Sequence, residues 1–462
     1  MENNKGQFKS NFGFLMAALG SAVGLGNLWS FPYKLGTNGG FAFLLIYVVL
    51  CVCVGYPLVL SEIALGRKTQ KAAIDAYQGI GKKFTFNGVL QTIVPFFLIC
   101  FYCTFGGYIT KYLVASVGAF FGGELATADA GAFFGGFFSD VPQALIYMLI
   151  FLILTVVIVL GGVSGGIEKF CKYGMPALFV MLVAIVIRAC TLPGAIGGLS
   201  FLFKPDFSGM STLSGFYEIL SKAGGQMFFS LSLASACLIA YGSYLNKNEN
   251  LVKNSIFIVI GDSVVAILAG MAIMPAVFSF GMNPGAGPGL LFVSMTTVFQ
   301  SMGTAGKVFQ LLFWLLVFIA ALSSSIGMME GSISAILDQR AKNGKKASRL
   351  GVTLLMGAAA LIGNIMTTAD ALGEGSMMQW FHILGQPDVL DVWDCVAEGI
   401  LMPLTGLIMA IILGWFAPGW IDDEIAVNGV FRGKKFYHFC IRFVGPLFML
   451  MIVYGQIRSF WG

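Results

Sequence analysis

From Pro142 to Gly162 the chain carries no charged side chain, and runs of this kind constrain its fold more than anything else in the sequence. A helix rises about 1.5 Å per residue, so about 20 apolar residues cross the hydrocarbon core of a bilayer. Eleven stretches qualify, near 11–36, 41–66, 88–121, 142–162, 166–189, 216–245, 254–281, 307–338, 348–369, 389–416 and 436–460. Several exceed what one crossing requires, which implies tilt or a break. Lipid offers no partner to backbone N–H and C=O groups, so these stretches are predicted to be helices of an all-α integral membrane protein. Composition agrees: 57% of residues are hydrophobic and 11% charged, against roughly 25% charged in soluble domains. The connecting loops leave no room for a soluble module, so residues 1–462 read as a single transmembrane domain.

Basic residues concentrate in three loops: Arg67, Lys68, Lys71, Lys82 and Lys83; Arg340, Lys342, Lys345, Lys346 and Arg349; and Arg432, Lys434 and Lys435. With eleven spans all three face one side, and the positive-inside rule makes that side cytoplasmic. The opposite loops carry Asp129, Asp140, Asp370, Glu374 and Asp388. The N-terminus is therefore expected inside and the C-terminus outside, in a cell (inner) membrane. No cleavable leader is visible. The bases form no single patch, so nucleic acid is not an expected partner. Most of the nine cysteines sit inside apolar runs and read as packing residues, without redox or zinc spacing. The apolar outer faces suit lipid or a second subunit, which leaves a homodimer open.

Two spans are interrupted. The first reads Gly20-Ser21-Ala22-Val23-Gly24-Leu25-Gly26-Asn27, then Phe31-Pro32; the sixth reads Gln226 through Ala236, rich in serine and alanine. Small residues at these places also let helices approach closely. Matched interruptions at the start of two blocks of five spans, however, point to a binding site between repeats. There freed carbonyls hold a cation and freed amides a carboxylate. The eighth span adds Ser323-Ser324-Ser325, hydroxyl donors suited to a hard cation. Glu62 and Asp262 are read as the two acids deep in spans. Neither has a base at helical spacing, so a bound cation or backbone amides must balance them.

These residues resemble the neurotransmitter:sodium symporter family, with the bacterial leucine-transporter fold. The similarity covers essentially the whole chain. It is strongest from Ala22 to Asn27, through Phe31-Pro32-Tyr33 and Asn38-Gly39-Gly40, with further matches at Pro57, Glu62, Gly66-Arg67, Gln226 to Tyr244 and Ser323-Ser324-Ser325. The resemblance implies a five-plus-five inverted repeat with broken helices 1 and 6, the repeats covering about 11–189 and 216–416, and an extra helix at about 436–460. It implies one sodium site from Ala22, Asn27, Ser230 and Asp262, completed by the substrate carboxylate, and a second from Gly20, Val23, Ala320, Ser323 and Ser324. An amino acid would set its carboxylate on the Leu25 and Gly26 amides and the Tyr102 hydroxyl. Its ammonium would face carbonyls of Ala22, Phe229 and Ser230. Leu98, Phe229, Ser232, Ser235, Ser324 and Met328 would surround its side chain, with Phe229 and Tyr102 as an aromatic lid. Monoamine members carry an acid where this chain has Gly24, which leaves room for a carboxylate and favours an amino-acid substrate. Ser235 stands where a bulkier apolar residue is common, enlarging or polarising the pocket toward a larger, hydrophobic or aromatic neutral side chain.

The chain also departs from the family. The arginine of the outer gate is Ser30, while Asp391 is read as its acid, so the gate pairing is open, with Lys34 or water as substitutes. The chloride-binding pattern keeps Tyr47, Gln226 and Ser230 but has Ala266, with Asp262 one turn earlier. A fixed carboxylate in chloride's place predicts chloride independence, with proton counter-transport through Asp262 as a hypothesis. For the inner gate, Lys5 is expected to meet Asp338 beneath Tyr244, and Gly166 with Pro176 to mark where the fifth span unwinds.

The rival classes fit less well. A channel needs a continuous polar pore or filter loops. An enzyme needs a nucleophile–base pair or metal cluster, and the only histidines, His382 and His438, sit at loops or span ends. A non-transporting receptor on the same fold would share every binding residue. The expectation is a sodium-coupled symporter, not an enzyme.

Overall fold

The computed structural model describes residues 6–285, 289–375 and 377–461, and the chain is helical throughout, with no strand among these residues. Among the described residues nine helical segments are long and apolar enough to cross a membrane, from Phe41–Thr69 to Lys434–Arg458. A tenth crossing is the pair Asn11–Ala22 and Gly26–Thr37, bent by 48° at its break. The sixth is split more widely, into Leu213–Ser230 and Cys237–Ser243. Counting both interrupted segments gives the eleven expected from the sequence.

Helix starts are set by side-chain caps. Ser10, Thr212, Asn250 and Ser348 each accept from the amide three residues on, opening the first, sixth, seventh and ninth segments. Each cap contributes about 1 kcal/mol.

Two long helices, within Lys82–Phe121 and Gly303–Lys342, run against each other through the centre. They carry many buried polar groups, Ser323, Ser324 and Glu330 among them, and the fully buried Tyr102, Tyr112 and Trp314. In contrast, Val141–Leu160 leaves Ile146, Ile153 and Val157 exposed along one side, as lipid contact requires. Residues 20–28 and 223–245, around the two breaks, are buried within this frame, so the backbone groups released there meet protein rather than lipid.

The fifth segment opens with a widened turn at Val163–Ile167 and continues helically through Pro176 to Cys190. Gly166 is needed there, because a Cβ would lie 1.9 Å from the Ile158 carbonyl oxygen. In this conformation the stretch between Gly166 and Pro176 is wound.

Candidate substrate and sodium sites

The first segment loses its helix at Val23, which is extended at φ −74° and ψ 106°. The last carbonyls of a helix lack intrahelical partners, and here neighbours supply them. The Ser21 carbonyl accepts from Ser232 Oγ at 2.8 Å, and the Gly20 and Val23 carbonyls from Ser324 Oγ at 3.2 and 3.3 Å. On the far side of the break, amides meet side chains instead. The Gly24 amide donates to Asn27 Oδ1 at 3.1 Å and the Leu25 amide to the Tyr102 hydroxyl at 3.3 Å. A Cβ on residue 24 would lie 2.2 Å from Ser324 Oγ and 2.9 Å from the Tyr102 hydroxyl, so only glycine fits.

The sixth segment breaks without glycine. Ser232, Ala234 and Ala236 take φ values of +50°, +56° and +59°. Each left-handed L-residue costs about 1–2 kcal/mol, so the turn must be held from outside. Glu62 Oε1 accepts from the Ala234 amide at 2.6 Å, Thr405 Oγ1 donates to the Ala234 carbonyl, and Ser235 Oγ donates to the Ser232 carbonyl at 2.6 Å. A backbone amide therefore meets Glu62, one of the two partners foreseen for it. The Ser235 hydroxyl is thus engaged within its own turn.

Between the breaks, polar atoms converge on Asp262. The Asn27 amide nitrogen donates to Asp262 Oδ1 at 2.8 Å and to Ser230 Oγ at 2.8 Å. Ser230 and Tyr47 donate their hydroxyls to Asp262 Oδ2 at 2.8 and 3.1 Å. Asn27, Ser230 and Asp262 are fully buried. Ala22, also buried, ends the helix beside them, with its carbonyl beyond the last helical bond. One turn away, Ser323 Oγ donates to the Ala320 carbonyl at 3.0 Å, while Ser324 reaches Gly20 and Val23. The two sets contain the carboxylate, hydroxyl and carbonyl oxygens that a sodium ion prefers. Leu98, Phe229 and Met328 are buried, and the Phe229 ring lies 3.1 Å from where a Cβ of Gly26 would stand. Phe229 also borders a cavity of about 500 Å³, with Trp29, Phe105 and Leu372.

The outer gate needs correction. Ser30 donates to Gln226 Oε1 at 2.8 Å, and Gln226 donates to the Gly26 carbonyl at 2.7 Å, so Ser30 ties the first segment to the sixth and does not reach the tenth. Asp391 borders the cavity, but the acid that meets the first segment is Glu398, paired with Lys34 at 2.7 Å. For the expected inner gate, Lys5 lies outside the described residues, and Asp338 Oδ2 accepts from the Ala72 amide at 2.7 Å. Tyr244 donates to Glu330 Oε1 at 2.7 Å, and Glu330 pairs with Arg349. Nor are Glu62 and Asp262 the only acids buried in spans. Glu168, Glu330 and Glu398 join them, and Glu168 accepts from the Lys9 amide and the Ser10 hydroxyl. All three were visible as acids within apolar runs; their partners lie on other segments, which spacing along one helix does not reveal.

The sodium:neurotransmitter symporter family model matches residues 5–125 and 137–461. The chain belongs to the sodium:neurotransmitter symporter family. This symporter is 35% identical over 460 residues to the uncharacterized sodium-dependent transporter YhdH of Bacillus subtilis, covering 98% of this chain and 97% of the other. It is 34% identical to an uncharacterized sodium-dependent transporter of Haemophilus influenzae, covering 98% and 99%. Among solved structures it is similar to MhsT in complex with L-phenylalanine, with a TM-score of 0.87 and 34% identity over 98% of this chain and 100% of that one. The architecture is thus that of a bacterial member of the family: a multi-pass, sodium-dependent membrane transporter.

Proposed function

We propose that this symporter imports a neutral amino acid, hydrophobic or aromatic, coupled to sodium by alternating access, and has no enzymatic role. The observation that carries the reading is that the Gly24 and Leu25 amides, held by the Asn27 and Tyr102 side chains, stand beside the oxygen cluster of Asn27, Ser230 and Asp262. A carboxylate on those amides would sit beside the cation ligands, so ion and substrate would each raise the other's affinity. The similarity to MhsT in complex with L-phenylalanine makes that amino acid the first to try.

Two sodium ions are proposed as co-substrates. One is held by Ala22, Asn27, Ser230 and Asp262, the other by Gly20, Val23, Ala320, Ser323 and Ser324. Leu98, Tyr102, Phe229, Ser232, Ser235, Ser324 and Met328 enclose the side chain, with Gly24, Leu25 and Gly26 at its carboxylate. Chloride independence is supported by the Tyr47 and Ser230 hydroxyls both turning to Asp262. The basic loops favour a cytoplasmic N-terminus and an external C-terminus in the inner membrane. The five-plus-five repeat is supported by breaks at corresponding positions. Rewinding and unwinding of the fifth segment between Gly166 and Pro176 would open the inner path, and a homodimer remains compatible with the apolar outer faces.

The test is uptake of radiolabelled L-phenylalanine, leucine, tryptophan and glycine into proteoliposomes, under an inward sodium gradient and a potassium control. Sodium-dependent accumulation of one or more of the larger substrates, unchanged when gluconate replaces chloride, is expected. Saturable binding without accumulation would make the chain a receptor, and a strict chloride requirement would remove Asp262 from its assigned part.

A further inference from the structure

The start of the sixth segment and the end of the last enclose two adjoining cavities that the transport reading does not use. The first, of about 540 Å³, is apolar in the main and is lined by Leu213 and by Leu447, Leu450 and Met451. The second, of about 520 Å³, is charged, with Glu218 and Lys222 from the sixth segment and Arg458 from the last. Ser214, Tyr217, Tyr454 and Arg458 border both, so the two form one groove. Along the last segment Leu447, Leu450, Met451, Tyr454 and Arg458 follow helical spacing and share one face. From Leu447 to Arg458 the helix rises about 16 Å, close to the roughly 15 Å that the acyl chains of one leaflet occupy. Leu213, Leu447, Leu450 and Tyr454 are exposed, so the groove opens on the lipid-facing surface.

The charged end of the groove lacks partners of its own. Among the described residues neither Arg458 nor Glu218 takes part in an ion pair or a side-chain hydrogen bond. Lys222 and Lys34 stand among Glu398 and Asp394, two cations to two acids, which leaves Glu218 over. One cation, Arg458, and one acid, Glu218, therefore face the same cavity uncompensated. Ser221 lines that cavity at 3% exposure, and its hydroxyl has no hydrogen-bond partner among the described residues. A Cβ at Gly455 would lie 2.5 Å from the Ser221 oxygen, so glycine lets the two segments meet at this depth.

We propose that the groove between the sixth and last segments binds one phospholipid whose headgroup carries a primary ammonium, of the phosphatidylethanolamine class. The lipid phosphate accepts from the Arg458 guanidinium, whose fork of donors matches phosphate oxygens. The ammonium donates to the Glu218 carboxylate. One acyl chain follows Met451, Leu450 and Leu447, with the Tyr217 and Tyr454 rings at the boundary between chain and headgroup, where tyrosine is favoured. The acid sets the headgroup class. A choline headgroup has no N–H to donate to Glu218, and a glycerol headgroup brings no positive charge to it. Arg458 acting only as an anchor at the membrane surface needs neither the acid nor the apolar cavity, and takes any phosphate headgroup alike. The site is independent of which solute the symporter carries; only its leaflet depends on the external C-terminus proposed above.

The test is native mass spectrometry of the purified full-length protein in detergent, titrated with phosphatidylethanolamine, phosphatidylcholine or phosphatidylglycerol of matched chains. One bound phosphatidylethanolamine is expected, held about tenfold more tightly than the other two, the scale of one charge-assisted hydrogen bond. Glu218→Gln is expected to bring the three lipids within about twofold of one another, because it removes the partner of the ammonium alone. Arg458→Gln is expected to weaken all three by about tenfold, through loss of the phosphate contact. Arg188→Gln, which removes a cation at the end of the fifth segment, is expected to change nothing. Equal binding of the three lipids to the wild type would overturn the proposal, as would a preference that survives in Glu218→Gln or an equal loss in Arg188→Gln. Glycerophosphoethanolamine, which has the headgroup and no chains, is expected to bind far more weakly; binding as tight as that of the lipid would show a site for a free phosphate ester instead. Glu218 and Arg458 are both exposed. Should Arg458→Gln not fold, Glu218→Gln decides the headgroup by itself. No uptake is measured, so failure of the amino-acid reading and failure of this one are told apart.

Discussion

The two breaks at the centre of the molecule interrupt a helix by different means. The first uses space: glycine stands where neighbouring atoms exclude even a Cβ, and the Asn27 side chain caps the Gly24 amide from within the same segment. The sixth uses strain: Ser232, Ala234 and Ala236 are held left-handed, and the support comes from Glu62 on the second segment and Thr405 on the tenth. A break made by exclusion is sensitive to what is added to it. A break made by strain is sensitive to what is taken from around it. The first break also presents the amides and carbonyls that a substrate and its ions would use, while the sixth joins that site to the helices on either side.

The contrast is broken most severely at Gly24. Gly24→Ala places a methyl group 2.2 Å from Ser324 Oγ. Sodium-dependent binding of L-phenylalanine is expected to fall by about a hundredfold or more, as misplacement at a site of this kind does. Retained affinity in an equilibrium binding assay would show that the break is not limited by space. Next in size, Glu62→Ala leaves the buried Ala234 amide without its acceptor, and an unsatisfied buried donor costs about 1–3 kcal/mol. A lowered thermal midpoint in detergent is expected, and an unchanged one would mean that the strained turn supports itself.

Smaller effects sharpen the comparison. Ala234→Gly relieves a left-handed alanine, and after the entropic cost of glycine a gain of up to about 1 kcal/mol in stability is expected. Thermal unfolding of Ala234→Gly beside Glu62→Ala would show whether the two act on the same turn. The mildest change is Ser235→Ala, which removes one hydroxyl bond to the Ser232 carbonyl, worth about 1 kcal/mol. Stability should fall slightly, and the preference for L-phenylalanine over glycine should hold, because the hydroxyl serves its own backbone. A changed preference in competition binding would return Ser235 to the substrate surface.

Much of this was legible in the sequence. The lengths of the apolar runs dictated the crossings, because lipid permits few alternatives. The first break could be located from Gly20, Gly24, Gly26 and Asn27, since glycine and asparagine in an apolar run are local signals. The sixth was visible only as a match to the first. Nothing in Ser232, Ala234 or Ala236 announces a positive φ, because Glu62 and Thr405 impose it from other segments. The same reason hid the partner of Lys34 at the outer gate: the resemblance pointed to Asp391, but the widened turn beyond Asp394 brings Glu398 to Lys34. Glu330 was overlooked because its partners, Tyr244 and Arg349, come from beyond its own helix.

The central claim is that substrate and sodium occupy one linked site between the two breaks. Equilibrium binding of labelled L-phenylalanine to the purified protein, titrated with sodium against a constant ionic strength of potassium, tests it most directly. The account predicts that sodium tightens binding by at least about tenfold, and that L-phenylalanine tightens sodium binding by the same factor, as linkage requires. L-Phenylalanine binding that is saturable but indifferent to sodium would contradict it.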